Sequence, residues 1–166
     1  MMNPDRGIQV VLNRLTKNLA KDSLVYTSLQ ELRKLLDIDR VVLYYFYSEW
    51  KGQVTLEAIG DPKYSIIGST GPDQCFNAGH AEMYLAGRIR ATENIETEPI
   101  SDCHREFLRN LQVLANLVVP IVPNGKLWGL LVAHHCQDTH VWKDDDIEAM
   151  QRYAKYLTIV PSISES

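Results

Sequence analysis

Cysteine is scarce in this chain of 166 residues, which has three cysteines and no Cys-X-X-Cys pair. An odd number without such a pair argues against a secreted disulfide framework and favours a reducing compartment with free or reactive thiols. No apolar run approaches the ~20 residues of a membrane-spanning helix, and the N-terminus lacks the charged-then-apolar layout of a signal peptide. We therefore expect a cytoplasmic protein without membrane contact.

An excess of positive charge is also missing. Seventeen basic and 21 acidic side chains give a net charge of −4, so we expect no general attraction to nucleic acid. The chain has no dinucleotide-binding glycine motif, phosphate-binding Walker loop, nucleophile elbow, zinc-protease motif or EF-hand loop. With 45% hydrophobic and 23% charged residues, the composition is that of one packed globular domain.

The spacing of apolar residues predicts helices at both ends of the chain. Asn3 and Pro4 are suited to begin a first helix, and a cap at Asp22 or Ser23 precedes a second. The aspartates at 144–146 favour the first turn of a C-terminal helix, because the helix dipole stabilises negative charge there.

Between these helices the pattern changes to that of β-strands. Residues 40–50 are rich in β-branched and aromatic side chains, and residues 53–59 alternate well enough to pair with them across a turn at Lys51-Gly52. A second pair, residues 116–122 and 127–134, encloses an Asn-Gly dipeptide, the preferred tight-turn pair.

The segment between the two strand pairs has no clean period over residues 61–76. An irregular stretch of this length inside a compact domain is typically functional, and we expect it to wall a pocket. The sequence therefore predicts an α+β fold: a central antiparallel sheet with helices on one face and a pocket under loop and helix insertions on the other.

Cys103 is the first candidate for chemistry. If Ser101 caps a helix over residues 101–112, Cys103 lies in its first turn, where the helix dipole favours a thiolate. His104 and Arg105 add positive character. On residue chemistry alone, packing of a small apolar side chain is an equally good interpretation.

Cys75 lies between the irregular segment and a predicted helix over residues 77–86. The nearby charge of Asp73 would raise the pKa of the Cys75 thiol, so local chemistry favours a loop thiol half-buried under Phe76. Cys136 ends a predicted strand and is interpreted as a packing thiol, because the usual spacings of zinc ligands are missing.

Arg88 and Arg90 flank Ile89. If residues 88–91 form a strand, the two guanidinium groups share one face and could bind carboxylates in bidentate fashion. The simpler interpretation is that both are solvated on a short edge strand.

Taken together, several segments resemble the bilin-binding GAF domains of cyanobacteriochromes, the compact relatives of phytochromes. They are Asp73–Phe76, Tyr84–Ala91, Cys103-His104, Ala115–Pro120 and Leu127–His134. The Asp-X-Cys-Phe and Cys-His motifs in this order resemble the dual-cysteine (DXCF) subgroup. Residues 23–160 would then form the bilin-binding domain, after a helical extension of residues 1–22 and before a tail of residues 161–166.

The resemblance implies a covalently bound linear tetrapyrrole, phycocyanobilin or its isomer phycoviolobilin. Cys103 would form the stable thioether, and Cys75 would add reversibly to the central methine carbon, which moves absorption to violet or blue. The residues implied to surround the pigment are Asp73, Phe76, Tyr84, Arg88, Arg90, His104, Asn116 and His134. Asp73 would accept hydrogen bonds from pyrrole N–H groups, and the arginines would hold a propionate.

The resemblance also implies a sensor rather than an enzyme, apart from the attachment and isomerisation of its own pigment. Light would flip the 15,16 double bond between Z and E, giving a product that absorbs in the teal, green or orange. Output would pass to a histidine kinase, chemoreceptor or diguanylate cyclase module of a parent protein, and a homodimer is compatible with this role.

Two alternatives stay open at this point. A GAF-fold thiol reductase acting on free methionine sulfoxide would use the cysteines as attacking and resolving thiols, but it leaves His104, Asp73 and the arginines unexplained. A GAF domain that binds a small metabolite or cyclic nucleotide is the other, although the Asn-Lys-X-Asp-Glu run of cyclic-nucleotide GAF domains is missing.

Overall fold

The computed structural model describes residues 6–48, 51–71 and 78–166. The strands in this part of the chain are β1 (Arg40–Ser48), β2 (Lys51–Ile59), β3 (Arg90–Thr92), β4 (Ala115–Ile121) and β5 (Gly129–His135). The α-helices are α1 (Arg6–Lys21), α2 (Ser23–Leu36), α3 (Ala78–Leu85), α4 (Asp102–Asn110), α5 (Asp144–Leu157) and α6 (Pro161–Ser164). Short 3₁₀ turns occupy Pro62–Tyr64 and Pro123–Gly125.

The five strands form one antiparallel sheet in the spatial order β2-β1-β5-β4-β3. Successive side chains of a strand point to opposite faces of a sheet, and here the two faces have different neighbours. In β1, β4 and β5, odd-numbered side chains such as Leu43, Leu117 and Leu131 are fully buried in a core with apolar residues of α1, α2 and α5. Each such burial contributes about 1.5–3 kcal/mol. The predicted α+β class is confirmed.

Even-numbered side chains of β1, β4 and β5 form the opposite face. Val42 of β1 lies opposite Val132 of β5, which in turn lies opposite Val118 of β4. These three belong to a second apolar cluster, distinct from the core under the helices. Helices α3 and α4 and the segment after β2 lie on this side of the sheet, as the sequence predicts.

Polar caps fix where two of the predicted helices begin. Asp22 accepts hydrogen bonds from the backbone N–H groups of Leu24 and Val25, which starts α2. Asp146 accepts one from the N–H of Lys143 at the start of α5. The cap expected at Asn3 and Pro4 lies outside the described residues.

The turn expected at Lys51-Gly52 is wrong, because both residues belong to β2. Gly52 pairs with Phe46 and Lys51 with Ser48, across an irregularity in the register. A Cβ at Gly52 would collide with the ring of Tyr44, so glycine is needed here for close approach inside a strand rather than for a turn.

The turn between β4 and β5 confirms the sequence prediction. Asn124 (φ 55°) and Gly125 (φ 77°) both adopt left-handed backbone conformations, which this residue pair tolerates better than others.

Helix α6 packs near this turn, with Ile163 in the core, and the indole Nε1 of Trp128 donates a hydrogen bond to Ser166 Oγ at 2.7 Å. No helix in the described part of the chain has the length and apolar composition of a membrane span.

Candidate functional site

A cavity of about 110 Å³ lies on the sheet face formed by the even-numbered side chains of β1, β4 and β5. Its walls are mainly apolar, with valines of β1, β4 and β5 among them. The cavity thus has the usual character of a ligand site, in which a few polar groups orient a largely apolar molecule.

Five of the residues that the sequence singles out line this cavity: Tyr84, Arg90, His104, Asn116 and His134. They come from α3, β3, α4, β4 and β5, and the fold brings them together. Asp73, Cys75 and Phe76 lie outside the described residues, so the first cysteine motif stays a prediction.

The segment after β2 forms one wall of the cavity, as predicted. Ile66 N–H donates to a carboxylate oxygen of Glu57 at 2.8 Å. The N–H of Val54 donates to the carbonyl of Ser69, and the N–H of Gly68 donates back to Val54. These bonds anchor the wall on β2, and Ile66 and Ser69 face the cavity.

Helix α4 begins as the sequence predicts. Ser101 Oγ accepts a hydrogen bond from the N–H of His104 at 3.2 Å, so Ser101 is the N-cap. Cys103, which is exposed, therefore lies in the first turn. The next residue, His104, faces the cavity together with Phe107 and Leu111. The first turn of α4 thus places His104 at the cavity, and Cys103, which is disulfide-bonded in the structure, directly before it.

The expectation that Arg88 and Arg90 share a strand face is wrong. Gly87 ends α3 in a left-handed conformation (φ +97°), and β3 begins only at Arg90. Arg88 turns back toward the helix, where its Nη1 contacts Met83 Sδ at 2.6 Å, whereas Arg90 lines the cavity. Burial raises the pKa of Tyr84, and the charges of Arg90 and Arg88 oppose this.

Arg40 is the functional candidate that sequence reasoning missed. It is fully buried (0% exposed) and lies opposite His134 in the sheet, which lies opposite Asn116. The Nε of Arg40 donates to His134 Nδ1 at 3.1 Å. Nη1 and Nη2 donate to the carbonyl oxygens of Tyr64 and Leu111, each at 2.7 Å. The only feature of the sequence that points to Arg40 is a basic residue at the first position of an apolar strand.

These three hydrogen bonds compensate a buried charge. Burial lowers the pKa of Arg40, and nearby Cys136, Glu57 and Asp39 oppose the shift, but an arginine stays protonated in proteins. A buried charge is tolerated only when it is hydrogen-bonded. Tyr64 lies just before the cavity wall formed by the segment after β2, and Leu111 lies at the end of α4, which forms another wall. Arg40 therefore links both walls to β1 by hydrogen bonds.

His134 and Asn116 complete a polar row across the cavity floor. Burial and the charge of Arg40 hold the pKa of His134 well below its ordinary value, so its imidazole is neutral. Asn116 is 3% exposed, and its Oδ1 is buried without a hydrogen-bond partner within the described residues. An unsatisfied buried acceptor costs about 1–3 kcal/mol, and a ligand N–H group would satisfy it.

Cys136 behaves as the packing thiol that the sequence suggests. It is half-buried, and burial raises its pKa to about 11, which disfavours the reactive thiolate. The described residues contain no cluster of three or more potential metal ligands.

Two glycines make room for Tyr44, another residue of the cavity wall. A Cβ at Gly71 would overlap the Tyr44 hydroxyl. We therefore expect Gly71→Ala to displace the ring and to lower the free energy of unfolding by about 1–3 kcal/mol, as overpacking does, measured by urea titration.

Gly60→Ala is the matched control for this substitution. The added Cβ would meet Arg33 Nη1 at 3.1 Å, the far end of a flexible side chain, so we expect a change within about 0.5 kcal/mol. Equal unfolding midpoints for Gly71→Ala and the unaltered protein would show that Tyr44 does not need this space.

The family model for the GAF domain matches residues 21–160. The chain is 42% identical to an uncharacterized protein of Picosynechococcus sp. over 92% of this chain and 94% of that protein. It is 39% identical to a putative methyl-accepting chemotaxis protein of Synechocystis sp. over 72% of this chain, and 27% identical to cyanobacterial phytochrome A of Nostoc sp. over 78%. It spans only 12% and 20% of those two longer proteins.

Solved structures with the same fold include photoreceptor domains. The cyanobacteriochrome receptor PixJ, determined in the dark and under steady illumination, matches with a TM-score of 0.77 and 30% identity over 93% of this chain and 97% of its own. The phycocyanobilin-bound GAF domain of a cyanobacterial phytochrome matches with a TM-score of 0.76 and 27% identity, over 99% and 97%.

Proposed function

Because this chain belongs to the GAF domain family, with strong structural similarity to GAF domains of cyanobacteriochromes and phytochromes, we propose that it is a photoreceptor domain that binds a bilin. The observation that carries the proposal is the convergence of five polar or aromatic residues on one mainly apolar cavity. The buried, unpartnered Oδ1 of Asn116 fits a ligand that brings an N–H donor.

Cys103 holds the pigment through a thioether. Its place in the first turn of α4, behind the Ser101 cap, puts Cys103 directly before a residue that lines the cavity. His104 packs against the pigment from inside the cavity. The guanidinium of Arg90 binds a propionate carboxylate, a pairing suited to its fork of donors.

The photocycle is that of the dual-cysteine subgroup. Phycocyanobilin or phycoviolobilin supplies a double bond that light switches between Z and E. Cys75 would be a second residue that holds the pigment: addition of its sulfur to the central methine carbon would divide the conjugated system. Asp73 accepts hydrogen bonds from pyrrole N–H groups. The support for these two roles is the Asp-X-Cys-Phe motif.

The domain works as the sensor of a longer signalling protein. Relatives of this chain include a chemotaxis protein and histidine kinases, of which it spans a small part. Helices α1 and α5, which pack on the sheet face away from the cavity, transmit the signal. The reductase alternative is not favoured, since the relatives with a functional name are a chemotaxis protein, histidine kinases and a phytochrome.

Co-production of the chain with phycocyanobilin tests this function. We expect a coloured protein whose pigment stays on the band after denaturation, and a violet or blue absorption that moves reversibly to longer wavelength under blue light. A colourless band would overturn bilin binding. A coloured protein whose spectrum is indifferent to light would overturn the photoreceptor role, and turnover of methionine sulfoxide would favour the enzyme.

A further inference from the structure

We infer that Arg40 is a positioning residue that fixes the tautomer of His134, so that this buried imidazole presents an N–H donor, and not a lone pair, to the ligand in the cavity. The juxtaposition that carries the inference is the cross-strand pair itself: Arg40 Nε lies 3.1 Å from His134 Nδ1, and both side chains are buried.

The hydrogen bond between Arg40 and His134 allows only one tautomer of the imidazole. Every nitrogen of a guanidinium group is a donor and none accepts. The Nδ1 of His134 must therefore be the unprotonated nitrogen, and a neutral imidazole then carries its proton on Nε2. His134 lines the cavity, and within the described residues its Nε2 makes no hydrogen bond. The Nε2–H group is left for a ligand.

The rest of the guanidinium holds this geometry. Nη1 and Nη2 are bound at 2.7 Å to the carbonyls of Tyr64 and Leu111, so Arg40 cannot rotate away from His134 without breaking two further bonds. The contacts come from three elements that are remote in sequence. A lysine would offer a single flexible point charge instead of this fixed fork.

The neighbouring residue in the row has the opposite polarity. Asn116 pairs with His134 across β4 and β5, and its buried Oδ1 is an acceptor without a partner in the described chain. A donor beside an acceptor matches an amide or lactam edge, which carries a C=O next to an N–H. The other tautomer of His134 would place two acceptors side by side. This step rests on the proposed function, because a bilin ends in lactam rings.

The tautomer is measurable in the full chain produced without pigment. In a ¹⁵N-histidine spectrum, assigned with His134→Gln, we expect a lone-pair resonance for Nδ1 of His134 and a protonated resonance for Nε2. A protonated Nδ1 in the unaltered protein would overturn the inference, and this result needs no Arg40 variant to fold.

Arg40→Met then tests the cause. It keeps an unbranched, flexible side chain, although a shorter one, and removes the donor, so we expect His134 to lose its single tautomer. Arg33→Met is the matched control, since Arg33 also donates to a backbone carbonyl, that of Ile38 at 3.3 Å, but does not contact His134. We expect its histidine spectrum to be unchanged. A folded Arg40→Met protein that keeps His134 wholly in the Nε2–H form would overturn the inference.

The pigment-loaded protein gives an independent readout. We expect Arg40→Met to retain covalent pigment, since Cys103 is intact, but to shift the absorption maximum relative to Arg33→Met. Identical spectra for the two variants would contradict a role toward the pigment. Absence of pigment from the unaltered protein would refute the proposed function instead, and would leave the tautomer measurement standing.

Discussion

Replacing Cys103 with alanine is expected to abolish covalent attachment of the pigment. The chain would emerge from co-production with phycocyanobilin carrying at most pigment that denaturation removes. The reason is positional: Cys103 lies in the first turn of α4, directly before the cavity-facing His104. Fluorescence of the denatured band and the mass of the peptide that contains residue 103 measure the loss.

Cys136→Ala is the control for this experiment. Cys136 is half-buried, with a pKa raised to about 11 by burial, and we expect it to leave attachment intact. A bilin mass that persists in the Cys103→Ala protein, on any peptide, would contradict the assignment of Cys103 as the attachment site.

Replacing Cys75 with serine is expected to move the dark-state absorption from the violet or blue to longer wavelength. A hydroxyl group is too weak a nucleophile to add to the methine carbon, so the conjugated system would stay whole. Covalent attachment through Cys103 should be unaffected. The two properties are read from one sample, by an absorption spectrum before denaturation and by the pigment on the band afterwards.

Cys136→Ser is the matched substitution here, because it makes the same chemical change at a thiol that does not line the cavity. We expect its spectrum to equal that of the unaltered protein. A violet or blue dark state that survives Cys75→Ser would remove Cys75 from the photocycle, and the attachment through Cys103 would remain to be judged separately.

The parts of the fold that depend on neighbouring residues could be predicted from the sequence. The β-branched and aromatic side chains of residues 40–50 predict a strand, and Asp22 and Ser101 are caps whose partners lie two or three residues away. The turn at Asn124-Gly125 is equally local. Gly52 misleads, because a glycine that admits the Tyr44 ring inside a strand looks the same in sequence as a glycine in a turn.

The parts of the site that depend on remote partners could not be predicted. Arg40 binds groups that are 24, 71 and 94 residues away along the chain. Two of the three are backbone carbonyls, which any residue type would supply, so no side-chain pattern marks them. The prediction for Arg88 is wrong for a different reason. Gly87 adopts a left-handed conformation, so β3 begins at Arg90 and not at Arg88, and the Arg-Ile-Arg pattern does not indicate where the strand begins.

The two faces of β5 have a consequence for how such a domain diversifies. Leu130 and Val132 belong to the apolar cluster on the cavity side, whereas Leu131 and Ala133 are fully buried against the helices. Substitutions at the even positions of β5 therefore alter the lining of the cavity, whereas substitutions at the odd positions alter the core under the helices. The lining can change in sequence while the odd positions keep the core packed.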